Sequence, residues 1–270
     1  MNKNKKYILF GLIALIILII ALFFLLRGGV KTPESIAFDG QTNSFLVSST
    51  KGKAIYSMDL KGKLTPFLKE GFKAPRGILL SAPYLYVADV DHVLTIDLPS
   101  RKIVASIPVD GANMLNDIAM DETGRLFLTD TTGNAIFVLE PGTKKLIKLT
   151  DPLLKAPNGI VFDGPRHQML VVSYTKQSPI LSLDTQKLYL SKFMDTITSD
   201  LDGITIDDKG RIYFSSWAEQ VIYVIPQEQN RVEIFKSELK SPADIYYHAP
   251  TNEILAPLWT KNKIIRFNLD

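Results

Sequence analysis

Apolar residues follow two unlike patterns along the chain. Tyr7 to Leu26 is an unbroken apolar segment of twenty residues without a charge. From residue 33 onward the apolar residues come instead in short runs rich in β-branched and aromatic side chains, separated by Gly, Asp, Asn and Lys. Helical periodicity is absent there, and such runs bounded by turn residues are strand signals. One stretch shows the unit: LNDIAMD (115–121), a turn at Glu122 to Gly124, RLFLTD (125–130), NAIFVLE (134–140) and KLIKLT (145–150). Another repeats it as LDGITID (201–207), a turn at Asp208 to Gly210, RIYFSS (211–216), QVIYVIP (220–226) and RVEIFK (231–236). Each unit therefore holds four strands.

The opening phrase of the unit returns six times, as PESIAFD (33–39), PRGILLS (75–81), LNDIAMD (115–121), PNGIVFD (157–163), LDGITID (201–207) and PADIYYH (242–248). Its marker isoleucines are Ile36, Ile78, Ile118, Ile160, Ile204 and Ile245, spaced 40 to 44 residues apart. That period belongs to four-stranded propeller blades, which arrange themselves radially and leave only short protected edges. A β-sandwich would not repeat one phrase at a fixed period. The expected fold is all-β, a six-bladed β-propeller over residues 33–270, preceded by one N-terminal transmembrane helix. The sixth unit runs through NEILAPLW (252–259) and KIIRFNLD (263–270) without a fourth strand. Either that blade has three strands, or Val30 and its neighbours supply a short latch.

Residues 7–26 are long enough to cross a bilayer core as a helix. Lys3, Lys5 and Lys6 precede the segment, so the positive-inside bias keeps residues 1–6 in the cytoplasm and places the propeller on the extracytoplasmic side. A cleavable signal peptide usually ends in small residues, and IALFFLLRGG (20–29) offers no such site. The expected organisation is a basic N-terminus at 1–6, a signal-anchor helix at 7–26, a short linker at 27–32 and the propeller from 33. Zero cysteines exclude a disulfide framework, thiol catalysis and thiolate metal sites. The three anchor-flanking lysines account for the net charge of +3, leaving a nearly neutral propeller with no electrostatic case for a nucleic-acid partner.

Chemistry is expected where the repeats differ at equivalent positions. Two residues before the marker Ile the units carry Glu34, Arg76, Asn116, Asn158, Asp202 and Ala243; one residue before it they carry Ser35, Gly77, Asp117, Gly159, Gly203 and Asp244. The first strand of each blade lines a propeller's channel, so these positions should converge at one mouth. Two carboxylates and two carboxamides meeting there form an oxygen-only site suited to calcium or another hard divalent cation. Without a cation, Glu34 and Asp202 should repel each other. The plainer reading of one Asn-Gly or Asp-Gly is a turn residue bonding its own backbone, but four oxygen donors in register are harder to explain that way. Arg76 either holds a substrate carboxylate or neutralises Asp117 or Asp244.

At these residues the chain resembles the family of senescence marker protein, gluconolactonase and luciferin-regenerating enzyme, and more distantly the paraoxonase-like arylesterases. The likeness covers about residues 30–270 and is carried by PESIAFD, LNDIAMDETGRLFLTDT, PNGIVFD, LDGITIDDKGRIYFSSW and PADIYYHAPTNEILAPL. It implies a divalent cation at the channel mouth, held by Glu34, Asn158 and Asp202, with Asn116 as a further metal or substrate contact. Met114 stands where the gluconolactonase type carries a sugar-gripping Arg. His92, His167 and His248 are expected in or beside turns as exposed residues, away from the proton-carrying positions of the paraoxonase type. An enzyme of this kind would hydrolyse a small lactone or ester, with Asp202, or else Asp117, as base and Asn116, Asn158 and Arg76 around the substrate. The alternative is a non-catalytic propeller, pinned by calcium, that binds a ligand or protein partner.

Overall fold

The alternating strand pattern folds as the repeat demands. The structure, a computed structural model, describes residues 29–269 other than residue 229. The proposed anchor at 7–26 and the basic residues before it lie outside the described residues, and among those described no helix is long and apolar enough to cross a membrane. Five antiparallel sheets of four strands and one of three make a six-bladed propeller. The innermost strands of the first five blades are Pro33–Asp39, Pro75–Ser81, Leu115–Met120, Pro157–Asp163 and Leu201–Ile206, and that of the sixth is Tyr246–His248.

Alternation along these strands sends apolar side chains into the gaps between blades. The core is accordingly six wedges, one at each blade interface, and no single centre. Between blades three and four, for example, Phe127, Ile136 and Val138 meet Met169, Val171 and Leu181, all buried. A sheet buried on both faces in this way cannot slip its register by one residue without turning polar side chains into a wedge.

Ring closure falls between blades six and one. Blade six has three strands, the last being Lys263–Asn268. Val30 forms no strand, but it is buried among Ile36, Phe45, Tyr56 and Leu255, which belong to the two blades that meet there. Thr32 donates its backbone N–H to the Asn262 Oδ1 at 2.8 Å, and Arg266 reaches the Leu60 carbonyl at 2.6 Å. Residues 29–32 thus serve as a plug for the seam.

His248 contributes to the same seam, and its position corrects the expected exposure. It is only 2% exposed and packs edge-on against Phe38 and Phe45 at 4.3 and 4.8 Å. Three residues after the marker Ile, Asp39, Asp121, Asp163 and Asp207 are all buried in their blades, and His248 fills the equivalent place in the sixth. Its Nδ1 lies 2.7 Å from Thr251 Oγ1, within the turn that such an aspartate would otherwise organise. His92 opens a strand, His92–Asp97, instead of sitting in a turn, and is held at 2.7 Å by Asp91. His167 is the exposed turn residue expected, paired with Glu122 at 3.0 Å.

The seam gives the first prediction. Phe45 is fully buried and touches Phe38, Tyr246 and His248, so Phe45→Ala should cost about 3–5 kcal/mol of stability, the range for deleting a buried Phe. Chemical denaturation measures this; a loss below about 1 kcal/mol would mean that closure is held elsewhere.

Candidate metal centre at the channel mouth

Each of the first five blades aims its site residue by the same backbone device. In the first blade Pro33 pairs with Ser49 and Ile36 with Val47, so the first strand carries one residue more than its partner. The same one-residue bulge precedes Ile78, Ile118, Ile160 and Ile204. Two residues therefore oppose one, and the strand bends enough to turn a side chain toward the rim. The entry to the bulge is fixed as well. In every blade but the second, the residue following the second strand donates its N–H to the carbonyl two residues before the site position: Thr50 to Thr32 and Thr131 to Met114 at 3.1 Å, Tyr174 to Ala156 at 2.8 Å, Trp217 to Asp200 and Trp259 to Ser241 at 2.9 Å. Ala156, Asp200 and Ser241 take positive φ, near +50°, to reach that bond.

The residue just before the marker Ile points into the ring of inner strands, where space decides its identity. A Cβ on Gly159 would lie 2.5 Å from the Asp202 carbonyl oxygen, and one on Gly203 would lie 2.4 Å from Asp244 Cα. A Cβ on Gly77 would meet Asp117 Cα at 2.5 Å. The Asn-Gly and Asp-Gly phrases therefore mark close approach of neighbouring blades and not turns.

Asp117 belongs to this ring and is not brought to the mouth. Its carboxylate accepts the backbone N–H groups of Ile118 and Ile160, both at 2.8 Å, bridging blades three and four. With Asp244 it lines a separate cavity of about 340 Å³ deeper in the channel, walled by the marker isoleucines and their neighbours. Burial pushes the Asp117 carboxyl up to about 7 against the pull of those two amides. Burial likewise raises Asp244 well above the usual carboxylate range, and Asp117 adds to the effect.

At the mouth, a cavity of about 200 Å³ brings together Glu34, Arg76, Asn116, Asn158 and Asp202 from five blades. Glu34, Asn116, Asn158 and Asp202 are each 5% exposed or less. Arg76 Nη1 donates to Glu34 Oε1 at 3.0 Å, so its partner is neither Asp117 nor Asp244. Burial raises Glu34, while Arg76 and, to a lesser degree, the Trp259 indole oppose that rise. Asp202 is raised well above its ordinary value by burial and then by the charge of Glu34. Its Oδ1 is buried without a hydrogen-bond partner.

A buried carboxylate oxygen left unpaired costs several kcal/mol unless a proton or a cation meets it. Among the described residues no three His, Cys, Asp or Glu side chains cluster in a metal-holding group, so a ligand set here must draw on the Asn116 and Asn158 carboxamides beside the two carboxylates. That set is wholly oxygen, and with the orphaned Asp202 Oδ1 it fits a hard divalent cation. Arg76 competes for Glu34.

The rim holds residues that the repeat phrase did not single out. Met114, Thr131, Tyr174, Trp217 and Trp259 also line the cavity. Four of them directly follow the second strand of their blades, where Thr50 and Val90 stand in the first two. Aligning that position across the repeats would have exposed the aromatic series.

The close approach of the inner strands is testable. Gly159→Ala forces blades four and five apart at backbone atoms that cannot move aside, so it should cost about 1–3 kcal/mol, the range for overpacking, and displace Asn158 and Asp202. An unchanged denaturation midpoint would disprove that packing.

Comparison with known proteins follows the geometry. The sequence profile of the SMP-30/Gluconolactonase/LRE-like region matches residues 32–255. Among curated protein sequences none matches. A gluconolactonase from Xanthomonas campestris superposes with a TM-score of 0.76 at 14% identity, over 90% of this chain and 87% of that one. A luciferin-regenerating enzyme superposes with a TM-score of 0.68 at 17% identity, over 85% and 84%. A streptogramin B lyase reaches 0.68 at 17% identity, over 90% and 95%. At such identities these likenesses are likenesses of fold.

Proposed function

The chain belongs to the SMP-30/gluconolactonase/LRE-like family, and from that premise we propose that it is a membrane-anchored hydrolase of lactones or esters that depends on a divalent cation, calcium foremost. The observation that carries the reading is the buried, partnerless Asp202 Oδ1 in a small cavity shared with Glu34, Asn116 and Asn158. Those four residues would hold the ion. When bound, a divalent cation supplies a Lewis acid for the carbonyl and lowers the pKa of water.

The chain's own residues have distinct parts in this reading. Asp202 takes the proton of the attacking water, because it lines the cavity and one of its oxygens is committed to no other group of the protein. Asn116 and Asn158 present carboxamides that orient substrate oxygens from two neighbouring blades. Arg76 spends one N–H on Glu34 and has others for the negative charge that develops on the reacting carbonyl or for a substrate carboxylate. Asp117 is the less favoured base in this reading, since both of its oxygens already accept backbone amides and it lines the deeper cavity instead of this one.

Two outcomes are expected. Calcium at a hundredfold excess over Kd should stabilise the native state by about 2.7 kcal/mol and so raise the melting temperature, and a chelator should lower it; coincident curves would remove the ion. Asp202→Asn, still folded, should lower hydrolysis at least about 10²-fold. Equal turnover by the variant would refute the role of Asp202, and a lactone and ester panel left wholly untouched would favour the ligand-binding propeller.

The anchor reading rests on residues 1–26 alone, with lysines on one side of twenty apolar residues. Protease added to sealed vesicles should find the propeller on the extracytoplasmic face, and cytoplasmic exposure would reverse the orientation.

A further inference from the structure

We propose that the mouth face docks on the anionic headgroups of the membrane that holds residues 7–26, through a lysine-rich sector beside the seam of blades six and one. The inference rests on the anchor reading of that segment and not on the hydrolase reading of the cavity.

Strand direction decides which face the membrane meets. The first strand of blade one begins at Pro33, places Glu34 in the mouth and runs away from it to Asp39. The chain therefore enters the propeller from the mouth side. Only Arg27 and Gly28 stand between Leu26, the last residue of the apolar segment, and Gly29. Three extended steps span at most about 11 Å, little more than the roughly 5–8 Å of headgroup layer outside one edge of the hydrocarbon core. The other end of this leash is fixed to the propeller, because Val30 is buried in the seam and Thr32 is held by Asn262. The rim at the seam cannot leave the headgroup region.

The charges of that rim suit such a surface. Second strands return toward the mouth, so the turn after each of them and the connection into each blade lie on the mouth face. Around the seam those stretches are residues 29–32, 50–53, 237–241 and 259–262, and they carry Lys31, Lys51, Lys53, Lys240 and Lys261 against Glu238 alone. All five lysines are exposed, and none pairs with an acid among the described residues. The same stretches of blades three to five have the opposite balance, with Asp110, Asp151, Asp195, Asp200 and Glu219 against Lys155 and Lys176. Lysines elsewhere do find acids, as Lys73 finds Asp91 and Lys192 finds Asp195.

Like charges left together repel, and a layer of anionic headgroups relieves that repulsion while attracting every lysine within a Debye length. An acidic protein would match the same lysines, but only the membrane is brought to them by the chain itself. The sector adjoins the cavity as well, since Lys51 lies 4.6 Å from the ring of Trp259, which lines it.

Both of the chain's tryptophans, Trp217 and Trp259, line the mouth, so fluorescence quenching reports its closeness to lipid. The full chain is reconstituted into phosphatidylcholine vesicles, with or without phosphatidylglycerol, that carry a nitroxide on a fraction of their headgroups. A second form has a long Gly-Ser spacer inserted after Gly28, which frees the propeller from its leash but not from its own charges. The native chain should be quenched on both vesicles. The spacer form should be quenched at least about twice as strongly with phosphatidylglycerol as without it, and about 1 M salt should abolish the difference. Lys53→Glu, Lys240→Glu and Lys261→Glu together, which spare Lys51 beside the reporter ring, should abolish it too. A spacer form indifferent to phosphatidylglycerol, or one whose response survives the three reversals in a folded variant, would overturn the proposal. So would lysines that bind soluble polyglutamate and ignore the lipid, which would assign the sector to an acidic protein. A native chain that floats with the vesicles while its tryptophans stay unquenched would overturn the docking and leave the anchor standing; a chain quenched on phosphatidylglycerol but washed off by salt would remove the anchor and leave the lipid-binding sector.

Discussion

The channel mouth depends on how closely six inner strands can approach one axis. At the position before the marker Ile the neighbouring backbone lies about 2.5 Å from where a Cβ would sit in three blades, and those blades carry Gly77, Gly159 and Gly203. Where a side chain is present at that position, it bonds across the gap: Ser35 accepts the Ile78 N–H and Asp117 accepts the Ile160 N–H. Hydroxyls of the second strands add further ties, as when Thr129 and Ser215 donate to the Asn158 and Ala243 carbonyls of the next blade. The ring is thereby set by backbone contact, and the residues one step earlier are carried to the rim at nearly fixed distances from one another. A site assembled from five blades needs that rigidity, because no single strand holds two of its members.

The same closeness creates an electrostatic imbalance. Glu34, Asp117, Asp202 and Asp244 converge on the channel, burial raises all four, and Asp117, Asp202 and Asp244 each feel the charge of at least one other acid. Arg76 is the cation that bears on Glu34 and Asp202. One guanidinium cannot neutralise four carboxylates. The acids are not equivalent, however. Asp117 is bound to two amides and Ser35 draws the Asp244 carboxyl back down, whereas Asp202 has an oxygen with no partner. The unmet demand for positive charge is therefore concentrated at the rim, where solutes arrive.

The fold was legible because its signal is a spacing. Six marker isoleucines at 40 to 44 residues specify blades irrespective of what else the chain does. The site positions were legible for the same reason, since differences between repeats stand out against their common phrase. What the sequence concealed were matters of direction. Asn116 and Asp117 are adjacent, and both looked like candidates for the mouth, yet the bulge turns one to the rim and the other into the ring. Arg76 could have met any of three acids; the bulge in blade two sets it beside Glu34. His248 looked like a turn residue because it stands in a series filled by aspartate in four of the other five blades, and the burial of those residues becomes visible only when the blades are packed.

Trp217 and Trp259 went unnoticed because the repeat was read around the first strand, while their register belongs to the second. That separation has a functional meaning. The bulge of the first strand presents floor residues, which set what bond can be attacked; the position after the second strand presents rim residues, which set what can enter. Thr50, Thr131, Tyr174, Trp217 and Trp259 are each tied to their own blade by a backbone bond that any non-proline residue can make, whereas Val90 accepts the Leu115 N–H of the next blade. The rim can therefore change from Thr50 and Val90 in the first two blades to Tyr174, Trp217 and Trp259 in later ones without disturbing the floor. Reaction and selectivity occupy different strands of the same blade, so a propeller of this kind can exchange one guest for another while its polar floor stays in place.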